Sequence, residues 1–330
     1  MPTEEVALNY WDLIKDAFWI TLRNPYLWFF GFFAGIGGSS SFNFNFPTGG
    51  GGFDDNDFDR SGTSAPFFGQ LPFDDPVSGA GVAALIGIIL LGLLIFLVFV
   101  ILVVISNGGL ADSVVAIDQG TRRSFGSTWR AGTARFWRVL GYYILFFLIG
   151  LALLITIAVP LGLVIAAVFA GTEATGARVV SVVLATLVGI PLLIVVFVSL
   201  SIISQFALRE IVVGGEGVLG SVGGGLRIFW QNLGRSILVW LIQIALIIVA
   251  TISLLLAGAI VGLVLFVPTI LLVVAEYTIA AIVTGIIAGL ILLPIVIVNA
   301  AALGTFNHAY WTLAYLRISG RELPSSRRVV

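Results

Sequence analysis

Between Arg235 and Arg317 the chain carries one formal charge, Glu276. A water-facing surface needs charged side chains far more often than that, so this stretch must be solvated by lipid. Four other runs are also free of charge: Pro76–Ala111, Val139–Thr172, Val179–Leu208 and, more weakly apolar, Asn24–Phe53. The composition of all 330 residues agrees, with 59% hydrophobic and 10% charged. Mean hydropathy is +1.13. A helix needs about 20 apolar residues to cross about 30 Å of hydrocarbon. The runs predict an all-α integral membrane protein, a six-span helical bundle with spans at 17–37, 81–106, 138–168, 179–207, 236–264 and 279–306. The first is apolar only from Pro25 to about Gly37. It reaches full length by taking in Phe18–Leu22, or by tilting and thinning the bilayer.

Charge sets the expected orientation. The basic residues gather in four segments: Lys15 and Arg23; Arg122, Arg123, Arg130, Arg135 and Arg138; Arg209, Arg227 and Arg235; and Arg317, Arg321, Arg327 and Arg328. Only Arg60 and Arg178 fall in the alternate loops. This is a positive-inside pattern with both termini cytoplasmic. It also disfavours cutting 236–316 into three spans, which would put the Arg-rich C-terminus outside. The acidic N-terminus, "MPTEEVALNYWDLIKD", lacks the basic start of a cleavable signal peptide.

The chain repeats itself. "RIFWQNLGRS" has a cousin, "RFWRVLGYY", in which Phe136, Trp137, Leu140 and Gly141 pair with Phe229, Trp230, Leu233 and Gly234. Pro191 and Pro294, Gln205 and His308, and Gly217 and Gly320 share a second, longer spacing. Spans 3–4 and 5–6 therefore read as two copies of one helical hairpin, in parallel orientation, with "AFWITLRNPYLWFF" opening a degenerate third. Each "FW" segment has an apolar stripe at spacings of three and four. The stripes are Leu219, Val222, Leu226, Phe229, Trp230 and Leu233; Phe125, Trp129, Phe136 and Leu140; and Trp11, Ile14, Phe18 and Leu22. The expectation is three amphipathic interfacial cytoplasmic helices. Trp137 and Trp230 would sit at headgroup depth, and Arg122, Arg123, Arg130, Arg135, Arg138, Arg227 and Arg235 would reach lipid phosphate. Leu-Gly, or Asn24–Pro25, would mark the bend into each span. The bland alternative is ordinary span-flanking sequence with cytoplasmic arginine.

The loop 38–79 is rich in Gly, Ser, Asp and Phe and predicts no packed core. Asp55, Asp57 and Asp59 resemble the start of a calcium loop, but Arg60 replaces the required Gly and Pro66 the required Glu. A solvated acidic outer loop is the better reading.

Little chemistry is visible. The span interiors hold no Asp, Glu, Lys or Arg. Glu173 and Glu276 fall in short outer turns. The sole histidine, His308, lies near the cytoplasmic end of the last span and reads as an interfacial hydrogen-bonding residue. Gln243 and Asn299 are intramembrane amides that would join helices. With no cysteine, thiolate chemistry is excluded. No cofactor or metal is expected, and a net charge of −1 argues against nucleic acid.

"FALREIVVGGEGVLGSVGGGLRIFWQNLGRSILVWLI" is the most specific passage. A span exits through Arg209, Ile211 and Val212, then come a Gly-bearing turn, an "FW" helix and a new span. Over roughly 105–320 this pattern resembles bacterial polytopic membrane proteins of unknown function, and the membrane domain fused to some glycerophosphodiester phosphodiesterases. The resemblance implies a bacterial cytoplasmic membrane location. It does not carry the phosphodiesterase activity, whose catalytic domain is absent.

The expectation is a single transmembrane domain over 1–330, ending in a basic cytoplasmic tail at 317–330. It is non-enzymatic, with a scaffold, regulatory or lipid-interacting role. Membrane lipids, a membrane-protein partner or a second copy are the expected partners. The alternative is a transporter or permease-like protein for a neutral or lipidic substrate. Breaks at Pro160, Pro191 and Pro294 would then line a cavity.

Overall fold

The computed structural model describes residues 9–36 and 79–321. The loop 38–79, apart from Gly79, lies outside the described residues, with its Asp55, Asp57 and Asp59. So does the tail beyond Arg321. The described residues form helices and no strands: α1 (Tyr10–Arg23), α2 (Leu27–Ile36), α3 (Gly79–Asp118), α4 (Phe125–Ala134), α5 (Phe136–Gly171), α6 (Thr175–Val212), α7 (Val218–Gln231), α8 (Leu233–Val274) and α9 (Thr278–Ile318). Five of them, α3, α5, α6, α8 and α9, are long and apolar enough to cross a membrane. By contact the chain divides into Met1–Ser41 with Val103–Val330, and Phe42–Leu102. Of the second unit, the described part is the first half of α3, whose Leu85–Val98 side chains are exposed and apolar.

The expected first span is not one helix. Pro25 cannot donate a backbone hydrogen bond, and the chain breaks at Asn24–Pro25. Phe18–Leu22 therefore belong to α1, which Asn9 caps through its side chain on Trp11 N at 3.1 Å. At 10 residues α2 spans only about 15 Å. It packs instead along α9. A β-carbon on Gly304 would lie 2.0 Å from the Gly31 carbonyl oxygen, so only glycine permits this crossing. Thr305 closes it, donating to the Leu27 carbonyl at 3.2 Å.

Three of the five long helices share an ending. Gly120, Gly215 and Gly320 all have positive φ, of 77°, 74° and 68°, just past α3, α6 and α9. A side chain there would strain the backbone, so glycine stops each helix. Thr121 N then reaches back to Ala116 O at 2.8 Å, and Arg321 N to Leu316 O at 3.0 Å. The expected pairing of Gly217 with Gly320 thus shifts, because Gly215 is the left-handed residue.

After α3 and α6 comes a short helix, and small residues dock each one. Thr128 and Gly132 are the buried residues of α4; Ser221, Gly225, Ile228 and Phe229 are those of α7. A β-carbon on Gly132 would lie 2.2 Å from Ile105 O, and one on Gly225 2.8 Å from Ile203 O. Thr128 and Gly132 pair with Ser221 and Gly225 at the same spacing that pairs Phe136 with Phe229. The bend into the next long helix differs, however. It falls at Arg135, before Phe136–Trp137, but at Asn232, after Phe229–Trp230. Only the second copy bends at its Leu-Gly. The docking residues keep one spacing, while α4 stops about one turn short of where α7 does.

Buried polar residues concentrate in the inner part of the fold: Ser106, Asn107, Gln205, Arg209, Glu210, Thr305, His308 and Thr312. The outer stretches of α5, α6, α8 and α9 are exposed and apolar, as lipid-facing surface must be. α5–α6 and α8–α9 pair as hairpins. Thr269 and Thr284 link the second at 3.1 Å. Arg178, outside the main basic segments, folds back on the first turn. It donates to Thr172 O at 2.8 Å and Phe169 O at 3.1 Å, satisfying carbonyls at the negative end of α5. Pro160, Pro191, Pro268 and Pro294 lie inside helices that continue through them.

Candidate functional site

The short helices α1 and α7 each expose tryptophan and other bulky apolar residues, whereas Phe125 and Trp129 of α4 pack against Phe30 of α2. On α7, Leu219, Leu226 and Trp230 are exposed, while Ser221, Gly225 and Ile228 face α6. Trp230 is 65% and Trp137 78% exposed, too much apolar area to leave in water. Trp11, Phe18, Trp19 and Leu22 do the same on α1, with Lys15 over Trp11 at 5.3 Å and Arg23 over Trp19 at 4.9 Å.

The arginines divide. Arg122, Arg130 and Arg227 are exposed, and Arg138 reaches Gly215 O at 3.3 Å from an exposed position. Arg123 and Arg135 are different. Both pair with Asp112 at the end of α3, at 2.8 and 3.1 Å, and so pin α4 to that helix. Each of these two expected headgroup ligands thus also carries an ion pair within the protein. Arg235 is half-buried at the start of α8. In the turn before α2, burial raises the Tyr26 phenol above its ordinary value, and the nearby Arg123 charge opposes this.

The intramembrane candidates also separate. Gln243 joins helices, donating from α8 to Asn307 Oδ1 on α9 at 2.6 Å. Asn299 instead donates to Ile295 O of its own helix at 2.8 Å and joins nothing. His308 is fully buried, because α9 continues past it to Ile318 inside the packed core. Gln243→Leu should cost about 1 kcal/mol, and adding Asn307→Leu should recover part of it. Unfolding midpoints for the two single variants and the double variant measure this coupling; strictly additive losses would contradict it.

Beside the Gln243–Asn307 pair a groove of about 290 Å³ opens between α2, α8 and α9. Phe32, Ile36, Leu246, Ile247, Leu303 and Phe306 wall it. Tyr310 closes one end, its hydroxyl donating to Val239 O at 2.8 Å. Among the described residues no group of three or more His, Asp or Glu could hold a metal ion.

The sequence reading placed Arg209 in a cytoplasmic basic segment, at the exit of a span. Arg209 is in fact fully buried, and Glu210 beside it is 5% exposed and pairs with Arg321 at 3.4 Å. One signal was available: the apolar run does not stop at Arg209 but resumes with Ile211 and Val212, and Gln205 stands one turn earlier.

Five long apolar helices with exposed apolar outer surfaces define a polytopic α-helical membrane protein. The chain belongs to a family of unknown function, DUF7544, which matches residues 26–319. No curated protein and no solved structure matches it. The family match makes no link to glycerophosphodiester phosphodiesterases.

Proposed function

We propose that this chain is a non-catalytic, lipid-interacting protein of a bacterial cytoplasmic membrane. It lies with α1, α4, α7 and both termini on the cytoplasmic side, and serves a regulatory or scaffolding role. The groove between α2, α8 and α9 carries this reading. Its walls are apolar, its volume is at the lower end of small-molecule sites (about 300–1,000 Å³), and its polar point is one amide pair. That chemistry suits a single acyl chain. The clustering of arginine near α4, α7 and the end of α9 supports the orientation. Arg317 pairs with Asp16, which ties the end of α9 to α1 and supports a shared side. A sixth crossing would have to come from α2, which is 10 residues long. The likeness to the phosphodiesterase-fused membrane domain fits a lipid-facing role and carries no catalysis over. Transport is less well supported, since the prolines sit in continuous helices and the groove reaches Gln243 but not Asn299.

The test is lipid retention. Ala250 lines the groove, and Ala250→Trp should fill it. Native mass spectrometry of the detergent-purified chain should then show lipid binding about tenfold weaker than in the parent, about 1.4 kcal/mol. Equal retention by both would remove the groove from the account.

A further inference from the structure

The guanidinium of Arg209 lies in the last turn of α6, fully buried. Its Nη1 donates to Gln205 O at 3.0 Å and to Gln205 Oε1. Its Nε and Nη2 are buried with no hydrogen-bond acceptor among the described residues. The nearest acidic neighbour in sequence, Glu210, is engaged with Arg321. Two other buried polar groups near it also lack partners among the described residues: Nε2 of Gln205 and the Tyr143 hydroxyl on α5. Tyr142, Tyr143 and His308 all lie within electrostatic range of Arg209, and the Tyr142 hydroxyl already donates to Ser204 O at 2.8 Å. What remains is a full positive charge whose Nε–H and Nη2–H groups are taken up by no acceptor among the described residues.

An arginine cannot shed its proton to relieve this. The negative end of α6 offsets part of the charge but supplies no acceptor for Nε or Nη2. The missing partner is therefore an anion with several acceptor oxygens. A guanidinium edge that presents both Nε–H and Nη2–H matches a phosphate oxyanion bidentately. The last turn of a 38-residue membrane helix also lies beyond acyl-chain depth.

We propose that Arg209, Gln205 and Tyr143 form an oxyanion site at the junction of α5, α6 and α9 that takes a phosphate group. It is separate from the acyl groove between α2, α8 and α9. Two sources share the chemistry, an anionic phospholipid headgroup and free phosphate.

The experiment uses the full chain in dodecyl maltoside, which contains no phosphorus. Unfolding midpoints are measured against sodium phosphate, with chloride holding ionic strength constant, and separately against phosphatidylglycerol. Stabilisation by the lipid alone supports a headgroup site; stabilisation by both supports a site open to free phosphate. In either case Arg209→Gln should weaken apparent affinity about tenfold or more. Tyr143→Phe should weaken it by less, and Gly258→Ala, where nothing lies within 4 Å of a β-carbon, should leave it unchanged. Tyr143→Phe removes one oxygen only, so it serves if Arg209→Gln does not fold. No response in the parent chain, or equal responses in the parent, Arg209→Gln and Tyr143→Phe, would overturn the proposal.

Discussion

Gly304→Ala should be among the most damaging single-methyl changes in this chain. The new β-carbon would sit 2.0 Å from Gly31 O and 3.2 Å from the Gly35 α-carbon. Both obstacles are backbone, so no rotamer change relieves the clash and α2 must lift off α9. Overpacking of this kind costs about 1–3 kcal/mol. At about 2–4 °C per kcal/mol for a chain of roughly this size or smaller, the unfolding midpoint should fall by several degrees. Gly258→Ala is the control, because nothing lies within 4 Å of a β-carbon there. Equal midpoints for the two variants would mean that the α2–α9 crossing is not as close as described.

The second large effect is expected at α4. Gly132→Val would drive its β-carbon to 2.2 Å from Ile105 O and 2.9 Å from the Ile105 side chain. Helix α4 is short, 10 residues, and cannot hold itself without docking. Losing about 1–3 kcal/mol of docking should speed amide exchange across α4 about tenfold or more. α7 should be unaffected, because Gly225 docks it on α6 independently. Unchanged exchange in α4 would show that the Asp112 pairs with Arg123 and Arg135 suffice to hold it.

These two predictions show what was legible in the sequence. The long helices were, because absence of charge over such runs leaves no other solvent than lipid. The short helices were legible in part: α1 and α7 expose apolar residues of their expected stripes, while the Phe125, Trp129, Phe136 and Leu140 stripe is split by the break at Arg135. The helix breaks were not. A bend at Arg135 rather than at Leu140–Gly141 depends on where α4 meets α3, and nothing local marks it. The roles of the arginines were only half legible. Arg122 and Arg123 are neighbours of one type, yet one is exposed and the other reaches Asp112 on a different helix. Arg209 reads as a span-flanking charge until tertiary packing surrounds it. The groove was unreadable except for Gln243, because Asn307, its partner, lies on a distant stretch and looks like any polar residue near a helix end.

The account rests on a lipid chain occupying the groove between α2, α8 and α9. The most direct measurement is photocrosslinking in vesicles with a phospholipid that carries a diazirine on its acyl chain, followed by peptide mapping. Adducts should concentrate on Leu246, Ile247, Leu303 and Phe306 and disappear in Ala250→Trp. Adducts spread evenly over the exposed outer faces of α5, α6 and α8, with no excess in the groove, would contradict it.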